Sequence, residues 1–368
     1  MNVMGSSSRP NRESPALPTA NGQSWYMNGK GSAPRPLVKP IALCGMGVRL
    51  PGAVKNAQAF WNLLQNKRNG RCKYGPGKSG HVSSNLGYFP DHVDLANMDT
   101  SFCSATKDEC APMDPQQRLQ LEAVYEALQA AGQRSAGLGG RKIGVFVGSF
   151  EGDWLELDQR DIENFNRHRQ SGSGDYMTAN RIHYEFDVMG LSGCSSPMIA
   201  LHDAYTAINA GECEARAKQP LSDELGVSSP SGYYHTFDAA ADGYARGEAV
   251  SAGPRKKLSD ALRGGDPVRS VIRSTCLNAG GRSSTLSAPV ADTHESLIRR
   301  CHELAGISDF SRTAMMDYYG TGTPVGDSIE PQAIGNVFGE HGIYIGSAQH
   351  IGKMVVTMPA GADAELPS

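Results

Sequence analysis

Residues 141–150 read RKIGVFVGSF. A basic pair gives way to Ile143, Val145, Phe146 and Val147, punctuated by Gly144 and Gly148, and a short continuous apolar run of this kind is what a strand buried on both faces of a parallel or mixed sheet requires. Just upstream, MDPQQRLQLEAVYEALQAAG at 113–132 has helical spacing, with Leu121, Val124, Tyr125 and Leu128 on one face. Its ends are specified: Asp114 is placed to cap it, Pro115 suits the first helical position, and Gly132 stops it. A helix leading into a doubly buried strand predicts a layered α/β architecture.

Nearer the N-terminus, PIALCGMGVRLPG at 40–52 is a second short apolar run closed by glycines. It leads into NAQAFWNLLQNK at 56–67, a helix with Asn56 as N-cap. Residues 1–39 are rich in Ser, Pro, Gly and Asn and hold too little apolar surface to offset the entropy of ordering, so a disordered tail is expected there. One domain is expected over 40–360, followed by a short tail at 361–368. Toward the C-terminus the pattern is less regular. ECEARAKQPLSDELGVSSPSGYYH at 212–235 offers no apolar strand, and Pro254 in AVSAGPRKKLSDAL argues against one strand running through it. PVRSVIRSTCLNAGG at 267–281 regains strand character, and THESLIRRCHELAG at 293–306 reads as an amphipathic helix stopped by Gly306.

The chain has 368 residues, enough for a full hydrophobic core, and a net charge of −3 from 35 basic and 38 acidic side chains. Charges so evenly mixed predict neither a nucleic-acid stripe nor a basic membrane patch. No stretch approaches the roughly 18 apolar residues of a membrane helix, and no secretory leader is visible. Eight cysteines without a CxxC pair read as reduced thiols of a cytoplasmic protein.

Two segments carry candidate chemistry. GCSSPMIALHDAYTAINAG at 193–211 puts Cys194 at the start of a helix, where the dipole favours thiolate; a buried structural cysteine fits the same segment. MMDYYGTGTPVGDSIE at 315–330 is a glycine-rich loop between two elements, with a helix beginning near Ser328, and its glycines let backbone amides approach a ligand. The phosphate-loop look of GPGKSG at 75–80 fails, because Cys72 stands where the first glycine is needed. The ten histidines show no metal-ligand spacing, so no metal is expected.

Together these segments resemble the ketosynthase domain of fungal reducing polyketide synthases, in the β-ketoacyl synthase and thiolase-like superfamily. The resemblance runs from about Pro40 to about Gly352 and includes GDYMTANRIHYEFD, TFDAAADGYARGEAV, GTGTPVGDSIE and NVFGEHGIYIGS in family order. It implies a layered αβαβα fold. It also implies acyl transfer from the phosphopantetheine of an acyl carrier protein to a cysteine, then decarboxylative condensation with a malonyl thioester assisted by two histidines. No bound cofactor is implied. The partners implied are an acyl carrier protein or a polyketide synthase, and a second copy in a homodimer.

Carried over residue by residue, the resemblance puts Cys194 on the nucleophile, with Pro197 replacing a serine. The segment before it is shortened to GLSGC, so the strand that aims the nucleophile is expected to be lost. Tyr319, in DYYGTGT, takes the first histidine's position. Lys353, in GSAQHIGKMVV, takes the second's once a one-residue deletion is allowed, and Gln349 replaces the family's lysine. A neutral phenol donates one hydrogen bond but cannot act as an imidazole. Loss of a single oxyanion donor costs about 10²–10³ in rate, so condensation is expected to be very slow or absent. The chain ends at Ser368 without the family's glycine-rich NSFGFGG-like segment, and on that comparison the C-terminal half is expected to be incomplete. Three readings follow: a condensing enzyme, a protein confined to acyl transfer on Cys194, and a non-catalytic partner of a synthase.

Overall fold

The computed structural model describes residues 38–347 except 74–85, 96, 150–167 apart from Trp154, 190–191, 195–196, most of 214–246, 280–288 and 321–325. The expected tails at 1–39 and 361–368 therefore fall almost wholly outside the described residues. Val38 already packs on the core, and the Lys39 N–H donates to Asn209 Oδ1 at 2.9 Å.

The 40–52 run forms two strands, β1 (Ile41–Leu43) and β2 (Gly47–Arg49), both fully buried. After them comes α1 (Ala57–Gln65), capped by Asn56, whose side chain accepts from the Ala59 N–H. The best-specified helix is α2 (Pro115–Ala130). The Asp114 carboxylate accepts from the Gln116 N–H at 2.7 Å, Pro115 takes the first position, and Gly132 leaves it at φ +72°. Helix and strands meet at backbone distance. A Cβ on Gly47 would lie 2.0 Å from the Ala123 carbonyl oxygen, and one on Gly45 would lie 2.1 Å from that of Ala127. Only glycine permits that approach. Arg49 fixes the same contact from its side chain, donating Nη1 and Nη2 to both carboxylate oxygens of Glu126 at 2.7 and 2.8 Å and Nη2 to Glu122 at 3.0 Å.

The 141–150 run supplies β3 (Val145–Val147), buried throughout. Its alternation defines two layers. Val145 and Val147 join Leu121 and Val124 of α2 and Ile182 of α3 (Asp175–Glu185) in one cluster, whereas Phe146 joins Ala204, Tyr205 and Ile208 of α4 (Pro197–Ala210) in another. A strand covered by helices on both faces is the layered arrangement that the sequence predicts.

Pro254 divides its segment as expected. β6 (Val250–Ala252) pairs with β2 and with β5 (Ala217–Lys218), while β7 (Arg255–Lys257) crosses to a different sheet and pairs antiparallel with β1, Ile41 opposite Lys257. β8 (Ser270–Ile272) covers the other edge of β1, and α5 (Leu258–Gly264) lies between β7 and β8 in the chain. The strand β5 lies in the segment expected to be strandless; its two residues need only backbone pairing with β6, which polar composition does not forbid.

The C-terminal part comprises α6 (Ala291–Leu304), β9 (Met315–Tyr318), α7 (Gly326–Phe338) and β10 (Tyr344–Ser347). β9 and β10 pair in parallel, Met315 opposite Tyr344, and Tyr318, Ile334, Val337 and Phe338 form a small separate cluster. Gly306 follows α6 at φ +68°, the predicted stop.

Candidate functional site

Cys194 ends a strand. β4 (Ser192–Cys194) runs parallel to β3, with Val145 opposite Ser192, Phe146 opposite Gly193 and Val147 opposite Cys194. This corrects the expectation that the shortened GLSGC segment has lost the strand before the nucleophile. Three residues suffice because parallel pairing is made by backbone groups and β3 already presents a buried edge. α4 begins three residues after Cys194 at Pro197, where a missing N–H removes no helical hydrogen bond. The cysteine therefore stands between a strand end and a helix N-terminus.

Beside this strand end, Val147 and Ser149 share with Gln117, Gln120 and Thr178 the lining of a cavity of about 10 Å³. Gln117 anchors it, donating Nε2 to the Gly172 carbonyl at 2.9 Å and accepting from Arg181 Nε at 3.3 Å. α4 is held from its far side: Tyr205 donates its hydroxyl to the Arg273 carbonyl at 2.6 Å, and His202 Nδ1 lies 2.9 Å from Thr275 Oγ1. The same segment after β8 is tied onward to α6, since Ser274 donates to the Cys301 carbonyl at 2.7 Å and Asn278 to that of Thr293 at 2.7 Å. Residues 273–278 thus join the helix that follows Cys194 to the C-terminal part.

Tyr319 directly follows β9. Tyr318 is buried, while Tyr319 keeps 59% of its surface exposed. Desolvation by the surrounding protein and the Glu330 carboxylate raise its phenol above the ordinary value, so it is neutral at pH 7. Glu330 is the residue that sequence reasoning missed. From the second turn of α7 it accepts the Tyr319 N–H on Oε1 at 3.2 Å and the Gly320 N–H on Oε2 at 2.9 Å, fixing the backbone where the loop leaves the strand. The available signal was an acid ten residues beyond Gly320 at a helix start, inside GTGTPVGDSIE.

Cys194 and Tyr319 each stand at the carboxyl end of one strand of a parallel pair, the end at which open α/β sheets place their ligands. Lys353 lies outside the described residues, as do the loop at 321–325 and the Cys194 side chain, so the structure brings no three of the predicted residues together. Among the described residues no three His, Cys, Asp or Glu side chains are grouped to hold a metal ion, and no helix is long and apolar enough to cross a membrane.

Comparison with known proteins gives a consistent result. The family model "Beta-ketoacyl synthase, N-terminal domain" matches residues 38–216, and "Beta-ketoacyl synthase, C-terminal domain" matches residues 269–356. The chain is 58% identical over 341 residues to the highly reducing polyketide synthase pspA of Penicillium soppii, covering 85% of this chain and 14% of that protein. It is 44% identical over 339 residues to the highly reducing polyketide synthase sphB of Aspergillus fumigatus, covering 84% of this chain and 13% of the relative. This chain thus spans about a seventh of the length of these curated relatives. Among solved structures, the oxazolomycin ketosynthase domain OzmH KS7 of Streptomyces albus JA3453 superposes with a TM-score of 0.73 at 27% identity, covering 85% of this chain and 59% of the other. The ketosynthase from module 6 of the bacillaene synthase of Bacillus subtilis 168 gives 0.73 at 26% identity, covering 84% and 57%.

Proposed function

Because the chain belongs to the β-ketoacyl synthase family and has its thiolase-like α/β fold, we propose that it serves polyketide chain elongation as an acyl-accepting domain whose condensation step is impaired. The observation that carries this reading is the β3–β4 pair, which ends on Cys194, set against Tyr319 directly after β9.

In the acyl-transfer step, the Cys194 thiolate attacks the carbonyl of an acyl thioester carried on the phosphopantetheine of an acyl carrier protein. The new C–S bond forms on Cys194, the bond to the pantetheine sulfur breaks, and that thiolate takes up a proton. Condensation then requires decarboxylation of a malonyl thioester and stabilisation of the enolate. Tyr319 offers one hydrogen bond from a neutral phenol in place of an imidazole. Lys353 offers an ammonium that attracts the malonyl carboxylate before it leaves, which favours the ground state and opposes the step. The test is intact-protein mass after incubation with an acyl thioester. An adduct absent from Cys194→Ala supports the reading, and a folded protein that takes no acyl group rejects it.

A second reading, a non-catalytic partner within a polyketide synthase, draws on the sheet edges. Among the described residues β4 pairs with β3 alone, and its outer edge is the one this reading assigns to a second copy of this chain in a homodimer. A cytoplasmic, secondary-metabolite setting goes with either reading. Sedimentation that finds a monomer with no affinity for a carrier protein removes the partner reading.

A further inference from the structure

A cavity of about 450 Å³ lies between the residues preceding β3, the C-terminal end of α4, β7 and α5, away from Cys194 and Tyr319. Its lining is cationic: Arg141, Lys142, Arg255, Lys256, Lys257 and Arg263 all contribute. Three carboxylates, Glu212, Asp260 and Asp266, share the lining. Two of these are already engaged. Asp266 pairs with Lys256 and accepts from Gln133 Nε2 at 2.8 Å, and Asp260 pairs with Arg263 at 2.6 Å. Lys142, Arg255 and Lys257 line the cavity with Glu212 as the third carboxylate.

Arg255 is the anomaly among them. Its Nη1 donates to the Gly253 carbonyl at 2.8 Å, but its Nε is shut off from solvent and has no hydrogen-bond partner among the described residues. No carboxylate there pairs with it either. Burial alone lowers its pKa to about 10, which still leaves the group charged at neutral pH. A half-buried guanidinium with an unpartnered Nε and no counter-charge is costly, and the groups that best relieve it are oxyanions matching its planar fork. The volume is that of a small-ligand pocket, commonly about 300–1,000 Å³.

We propose that this cavity is a binding site for a small, multiply charged phosphate-type anion, with Arg255, Lys142 and Lys257 as its cationic ligands. The site is independent of acyl transfer on Cys194. The plain alternative, a packing gap lined by solvated basic residues, predicts no saturable binding.

The test is calorimetric titration of the full chain with inorganic pyrophosphate at low salt. The expected result is saturable binding of one anion per chain that weakens as sodium chloride is added. Arg255→Met is expected to weaken binding at least about tenfold, since it removes a charge-assisted bidentate donor. Lys142→Gln and Lys257→Gln are expected to weaken it several-fold each, which keeps the test decisive if Arg255→Met does not fold. The exposed control Arg312→Gln is expected to leave affinity unchanged. No saturable heat up to millimolar pyrophosphate overturns the proposal, as does affinity that is the same in every folded cavity variant or falls equally in Arg312→Gln.

Discussion

Two parallel strand pairs in this chain have opposite fates. In β3, Val145, Phe146 and Val147 lose almost all their accessible surface, while in the β9–β10 pair Met315 keeps 59% of its surface, Tyr344 83% and Ile345 42%. The backbone pattern is the same; the layers around it differ. β3 lies between α2 and α3 on one face and α4 on the other, whereas the C-terminal strands have a small cluster with α7, and α6 buries no residue completely. The proposed chemistry divides along this line. Cys194, the proposed acyl acceptor, ends the strand paired with buried β3, and Tyr319 directly follows the exposed strand β9.

The buried half is most vulnerable at Gly47. Gly47→Ala drives a methyl group into the α2 backbone and is expected to cost about 3 kcal/mol or more, with loss of the N-terminal core in a denaturant titration. A near-neutral result would mean that α2 can step away from β2. Phe338→Ala is expected to cost about 3 kcal/mol in the smaller cluster. Hydrogen exchange should then quicken over 315–347 and stay slow at 145–147. Equal loss of protection in both places would show one cooperative unit and dissolve the contrast.

Arg49→Met sharpens the same picture at smaller scale. It abolishes the clamp on Glu122 and Glu126, and about 2 kcal/mol is expected, below the usual figure for a buried pair because Glu126 is 42% exposed. Thermal unfolding measures it. The mildest prediction concerns the joint between the halves. A hydrogen bond from the Cys276 thiol, with a further contribution from Ser274, holds Cys301 below the ordinary thiol range, and the same pairing raises Cys276. Cys301 should therefore be alkylated faster than Cys276 across about pH 7 to 9, the range in which an ordinary thiol ionises. Peptide mapping after brief iodoacetamide treatment checks this, and equal labelling would contradict it.

Much of the buried half was legible in the residues. Asp114, Pro115 and Gly132 marked the ends of α2, the apolar run at 143–147 marked β3, and Pro254 forced a break that the fold turns into a change of sheet. These signals are local: a cap, an apolar run, a missing amide. β4 was not legible, because its pairing depends on β3 nearly fifty residues away rather than on the composition of Ser192–Cys194. For the same reason the cavity at Arg255 gave no warning, and Glu330 gave only its place at a helix start after the glycine-rich loop. A carboxylate that receives two amides from the preceding loop and an Arg255 Nε left without a partner among the described residues are properties of the folded chain.

Acyl acceptance on Cys194 with an impaired condensation step is the proposed division of labour. Carbon dioxide release from a malonyl thioester by the chain already acylated on Cys194 measures this directly. A Cys194-dependent adduct with release no faster than in Cys194→Ala is expected; sustained release coupled to a product two carbons longer would overturn the proposed division.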